Sequence, residues 1–146
     1  MTFSDLKDAI AKLLIKNFPN VNVYSSMREE QVKRPAFYSY MKPVTSEAAN
    51  QYSRHNVMSL YIDYLQEYKD EKDLYDTLQK IRDVFGNNII VGKESVNVMD
   101  FDWDLTAADR NVAEVDITLE WFDNTRKEET AELITGISLK TKIEEV

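Results

Sequence analysis

The chain has 146 residues, and 26 acidic side chains against 18 basic ones give a formal charge of -8, an excess that repels phosphate backbones unless the bases are segregated on one face. It contains no cysteine, which removes disulfides, thiol nucleophiles and zinc-thiolate sites together. No apolar run approaches the ~18 residues needed to span a bilayer, and Asp5, Lys7 and Asp8 interrupt the place where a secretory signal requires an apolar core.

The predicted elements begin with a helix over residues 3–18, in which Leu6, Ile10, Leu13 and Leu14 share one face. Thr2 or Ser4 is available as its N-cap, Asp5 and Asp8 suit its positive end, and Pro19 stops it. Residues 20–24 form a short strand candidate, followed by a charged loop. The stretch AFYSYMKPV, bracketed by Pro35 and Pro43, has the aromatic content of a strand near a sheet edge. The next strand begins near residue 50 and carries the only histidine, His55, directly after Arg54. Along it Met58, Leu60, Ile62 and Tyr64 occupy one face and Val57, Ser59, Tyr61 and Asp63 the other. Joined across residues 45–51, these two strands make a hairpin longer than the five or six residues usual for a strand.

A second helix is expected over residues 70–85, because Leu74, Leu78, Ile81 and Phe85 recur at helical spacing, with Gly86 as its C′ residue. NIIV is a short strand candidate. Residues 97–105 and 111–122 alternate as a second hairpin, with Met99, Phe101, Trp103 and Leu105 expected on one inner face and Ala113, Val115, Ile117, Leu119 and Trp121 on the other. This order predicts an α+β single domain, residues 1–122, built on a mostly antiparallel sheet with two helices packed on one face. Residues 123–146 form a C-terminal extension. Within it Ile137, Leu139, Thr141 and Ile143 alternate with Ser138, Lys140 and Lys142, the pattern of a strand or arm that packs on its own sheet or on a neighbour.

The common catalytic constellations are missing. One histidine allows only one version of a nucleophilic triad, and three scattered glycines leave no nucleophile elbow and no phosphate-cradling loop. No catalytic residue, cofactor site or metal site is therefore assigned. What stands out is a row of carboxylates, Asp100, Asp102 and Asp104, on one side of a strand. With a turn at residues 106–110, Asp102 should lie near Glu114 and Asp100 near Asp116, and like charges directly opposite destabilise a sheet by a few tenths to about 1 kcal/mol per pair. Three readings compete: a solvated face, a contact surface for a partner's Lys and Arg, and a Mg²⁺ or Ca²⁺ site for phosphoryl transfer. Arg54 and His55, with Lys42 on the preceding strand, form a second candidate at the end of the long hairpin, where cover from another chain is expected.

The segments MTFSDLKDAIAKLLIKNFPNVNVY, RPAFYSYMKPV, SRHNVMSLYIDYL, DLYDTLQKIRDVF and VNVMDFDWDLTAADRNVAEVDITLEWF together resemble, in order and character, the tail terminator proteins of long-tailed bacteriophages and phage-derived tail-like particles. The resemblance covers residues 1 to about 122 and implies a structural protein. Such a subunit forms a hexameric ring, stops tail-tube growth by capping the last tube ring, and provides the attachment surface for head or neck connector proteins. Its partners would be copies of itself, the tail-tube protein and those connectors, in the virion tail after assembly in the host cytoplasm. DNA would pass through the ring without specific binding, and no membrane would be involved. Another neck or tube component of the same particle would share these features. The extension beyond residue 122 departs from the family pattern and fits a contractile or otherwise elaborated tail.

Overall fold

A computed structural model describes residues 1–25, 32–105 and 111–124. Its elements run α1 (Phe3–Asn17), β1 (Asn22–Tyr24), β2 (Ala36–Asn50), β3 (Ser53–Leu65), α2 (Glu71–Phe85), β4 (Asn88–Val91), β5 (Glu94–Asp104) and β6 (Val112–Asn124). Helix α1 starts at a capping box: the Asp5 amide donates to Thr2 Oγ1 at 3.0 Å and the Thr2 amide to Asp5 Oδ2 at 2.9 Å, so Thr2 and not Ser4 is the cap. Asp70 caps α2, and Gly86 ends it at φ 58 and ψ -139, a backbone region open essentially to glycine alone. Gly86 is thus the C-cap itself, one position earlier than its expected place.

The six strands form one mixed sheet in the order β1-β2-β3-β6-β5-β4, in which only β1 and β2 are parallel. Period-two alternation sends Met58, Leu60, Ile62 and Tyr64 of β3 to one side, where they lie beside Leu119, Ile117, Val115 and Ala113 of β6. Leu6, Ile10 and Leu14 of α1 and Leu74, Leu78, Ile81 and Phe85 of α2 join the same buried cluster. Both helices therefore cover one face of the sheet, and the single-domain α+β architecture matches the expected class. Phe37 anchors the β2 side, with the Phe18 ring edge-on at 4.9 Å and the Tyr64 ring at 5.4 Å.

The structure departs from the sequence expectation at two places. Strand β2 does not stop near Val44 but continues to Asn50, so the hairpin turn occupies only Gln51 and Tyr52. In β5 the register shifts between Val98 and Asp100, leaving Met99 as an inserted residue. A bulge reverses the alternation, so Val96 and Val98 point to the core before it and Phe101 after it, while Met99 is 55% exposed. Trp103 and Leu105 are also exposed, so the expected four-residue inner face reduces to Phe101, which is half-buried against the core and stacked with Trp103 at 6.0 Å.

Candidate functional site

The face of the sheet that no described helix covers carries the acidic residues, and the pairing register aligns them in rows. One row runs Tyr38, Asp63, Glu114, Asp104; the next Tyr40, Tyr61, Asp116, Asp102; the third Lys42, Ser59, Thr118, Asp100. In the observed register Asp102 faces Asp116, Asp104 faces Glu114, and Asp100 faces Thr118. The expected pairs Asp102–Glu114 and Asp100–Asp116 are therefore offset by two residues along β6. The expectation that all five acids share one face is met, and Asp63, which β3 contributes from the other side of β6, joins them.

Asp63 lies directly opposite Glu114 and is hydrogen-bonded to it, an arrangement two ionised carboxylates cannot keep. Burial, and then the Glu114 charge, push the Asp63 carboxyl up to about 7 from its ordinary 3.8, so the facing pair keeps a proton well above the usual carboxylate range. Glu114 Oε2 also accepts the Tyr40 hydroxyl at 3.0 Å, which together with burial raises the Tyr40 phenol. Tyr40 stacks on Tyr61 at 4.9 Å and on Tyr38 at 5.2 Å, so this corner is braced by an aromatic ladder. One row along, burial and then the Asp102 charge raise Asp116, whose Oδ1 is buried with no hydrogen-bond partner among the described residues.

These carboxylates project side by side from pleated strands, and among the described residues no group of three or more His, Cys, Asp or Glu side chains is arranged to hold a metal ion. The arrangement does what crowded anions do: it presents dense negative potential, keeps one proton, and leaves an acceptor without a donor.

Arg54 and His55 lie at the other end of the same sheet, on opposite faces, because neighbouring strand residues alternate. His55 Nε2 stands 3.2 Å from Glu120 Oε2 and its ring stacks on Phe122 at 4.9 Å. On the other face, Arg54 donates from Nε to Ser46 Oγ at 3.1 Å and from its terminal nitrogen to the Ser46 carbonyl at 2.5 Å. The Ser46 hydroxyl donates to the buried Asn56 at 2.7 Å; Asn56 donates to Asp123 at 2.8 Å, which also accepts Trp121 Nε1 at 3.1 Å. This network ties β2, β3 and β6 together where the apolar core ends. Sequence reading missed it, and only the polar Asn56 in an otherwise apolar alternation signalled it.

A further open groove of about 640 Å³ runs between α1 and the β4–β5 turn, lined by Asp5, Asp8, Lys12, Lys93 and Glu94 among others. Its charges are mixed, and it adds no catalytic constellation.

A solved structure known by an identifier alone is similar to this chain at 14% identity and a TM-score of 0.54, covering 87% of this chain and 98% of the other, a likeness that concerns the fold. No curated protein matches. A family model described as phage tail terminator protein matches residues 5–131, taking in all but the first two residues of α1, the whole of α2, the six described strands and the acidic face, and reaching past the expected boundary at residue 122. The family is a structural one whose members assemble with other tail and neck proteins in the virion tail, and this chain belongs to the phage tail terminator family.

Proposed function

We propose that the protein closes the finished end of the tail tube as a hexameric ring, ends tube elongation there, and presents the acidic sheet face to the basic surface of an adjoining head, neck or tube protein. Family membership supports the capping role. The partner surface rests on one observation: Asp102 faces Asp116 across β5 and β6, with Asp116 Oδ1 buried and unpaired. A partner Lys or Arg laid over this row offsets the repulsion between the carboxylates. In a ring, a charge of -8 per copy repels the phosphate backbone, so DNA slides through the pore without specific binding. Arg54 and His55, at the far end of β3, lie at the boundary between subunits.

Replacing Asp100, Asp102 and Asp104 with Asn, followed by assays of ring formation, tail joining and genome delivery, tests the surface. Intact rings with lost joining support the partner reading. Normal joining with slowed ejection places the acids in the pore lumen instead, and wild-type behaviour in all three assays refutes both. Arg54→Glu should leave the subunit folded and weaken ring formation; normal assembly removes Arg54 from the boundary. Particles lacking the protein should carry tubes of uncontrolled length, and tubes of normal length would refute the capping role. A divalent-metal-dependent nuclease activity abolished by Asp102→Asn would replace the structural reading with an enzymatic one.

A further inference from the structure

Strand β2 has β1 as its outer neighbour only over Ala36–Tyr38. From Ser39 to Asn50 its outward side has no strand partner among the described residues, although its inward side stays paired to β3 as far as the hairpin turn. Such an edge is a template for another strand unless it is blunted. Lys42 and Pro43 blunt its middle, since lysine is costly to cover and proline offers no N–H. Residues 44–50, Val-Thr-Ser-Glu-Ala-Ala-Asn, contain neither and are all exposed, with Val44 at 53%. One carbonyl of this stretch, that of Ser46, is met by Arg54.

The chain carries a segment suited to this edge. Residues 137–143 alternate Ile137, Leu139, Thr141 and Ile143 with Ser138, Lys140 and Lys142, a seven-residue strand pattern matching the seven-residue open stretch. Strand β6 ends at Asn124 opposite Ser53, beside the hairpin turn, and only β3 separates it from β2. An added strand outside β2 lies three strand spacings from β6, roughly 14 Å, whereas the twelve residues 125–136 reach up to about 40 Å when extended. That reach is enough to carry residues 137–143 around the hairpin tip without crossing either face of the sheet, in the direction opposite to β2.

We propose that residues 137–143 add to the sheet as a further strand, antiparallel to residues 44–50 of β2 in the same chain. Lys140 and Lys142 then share the face that carries Glu47, and the larger apolar side chains share the face of Ser46 and Ala48. Tethering favours the chain's own segment over that of a second copy, because a short linker holds it at an effective concentration on the order of millimolar. This docking is independent of the capping role.

The absence of native cysteine makes the test direct. In the full-length chain, Thr45→Cys is combined in turn with a cysteine at each position from Ser138 to Lys142, and the pairs are oxidised and mapped by mass spectrometry. An intrachain disulfide at one position, with its immediate neighbours unreactive, is the expected result. Disulfides only between chains transfer the strand to a second copy and overturn the same-chain docking; no disulfide at any position overturns the proposal altogether. As a second measurement, amide exchange over residues 44–50 is compared between the full chain and one ending at Asn124. About tenfold faster exchange in the shortened chain, with the rest of the sheet unchanged, is expected, and equal exchange refutes the added strand.

Discussion

Replacing Asp63 with Asn should make the protein more stable above neutral pH and leave it nearly unchanged in acid. Asp63 is held at about 7 in the fold against an ordinary 3.8, through burial and the facing Glu114. Between those values the folded state binds a proton that the unfolded state has released, so unfolding free energy falls as pH rises. The contribution is fully present below about 4 and is lost as pH passes through 7. A fully buried carboxyl shifted this far would cost on the order of 4 kcal/mol when forced to ionise. Asp63 is only half-buried and water screens part of its interaction with Glu114, which leaves about 1 to 2 kcal/mol. The Asn amide donates to Glu114 as the protonated acid does, with no proton to lose. Urea unfolding of both proteins from pH 4 to 9 should therefore give curves that coincide in acid and separate by that amount at pH 8, with the variant the more stable. Asp116, which is also raised, titrates in both proteins and drops out of the difference. Parallel curves across the whole range, or a variant less stable at pH 8, would refute the shared proton.

Leu60 is 1% exposed on the helix-covered face of β3, so Leu60→Ala should cost about 2 to 5 kcal/mol in urea unfolding; a loss below 1 kcal/mol would mean that the site collapses around the smaller side chain. Asn56→Ala strips partners from Ser46 and Asp123 and should destabilise the fold by about 1 to 3 kcal/mol, with faster amide exchange at the hairpin tip than near Ile62. At Gly86 an added Cβ meets nothing closer than the Asp83 carbonyl at 3.9 Å, so the cost of Gly86→Ala comes from the backbone torsions and should be about 1 to 3 kcal/mol. An unchanged melting temperature would show that the turn relaxes without penalty.

Much of this protein is set by local chemistry and is legible in the chain. Helical spacing of Leu74, Leu78, Ile81 and Phe85 and the two-residue period of Met58, Leu60, Ile62 and Tyr64 specify both the element and its buried face, because period follows from backbone geometry alone. The Thr2 and Asp70 caps and the Gly86 stop are similarly local. Sequence also marked Asp100, Asp102, Asp104, Glu114 and Asp116 as acids sharing one face. Which acid faces which was decided by tertiary structure. The inserted residue at Met99 offsets the β5–β6 register by one between its two sides, and a bulge has no signature in a run of alternating side chains. Asp63 was invisible as a member of the group, because β3 reaches β6 only once the sheet has formed in the order β1-β2-β3-β6-β5-β4. The proton shared between Asp63 and Glu114 and the crowding at Asp116 follow from that order, since both depend on carboxylates distant in the chain, Asp63 and Glu114 by 51 residues and Asp102 and Asp116 by 14, being brought face to face.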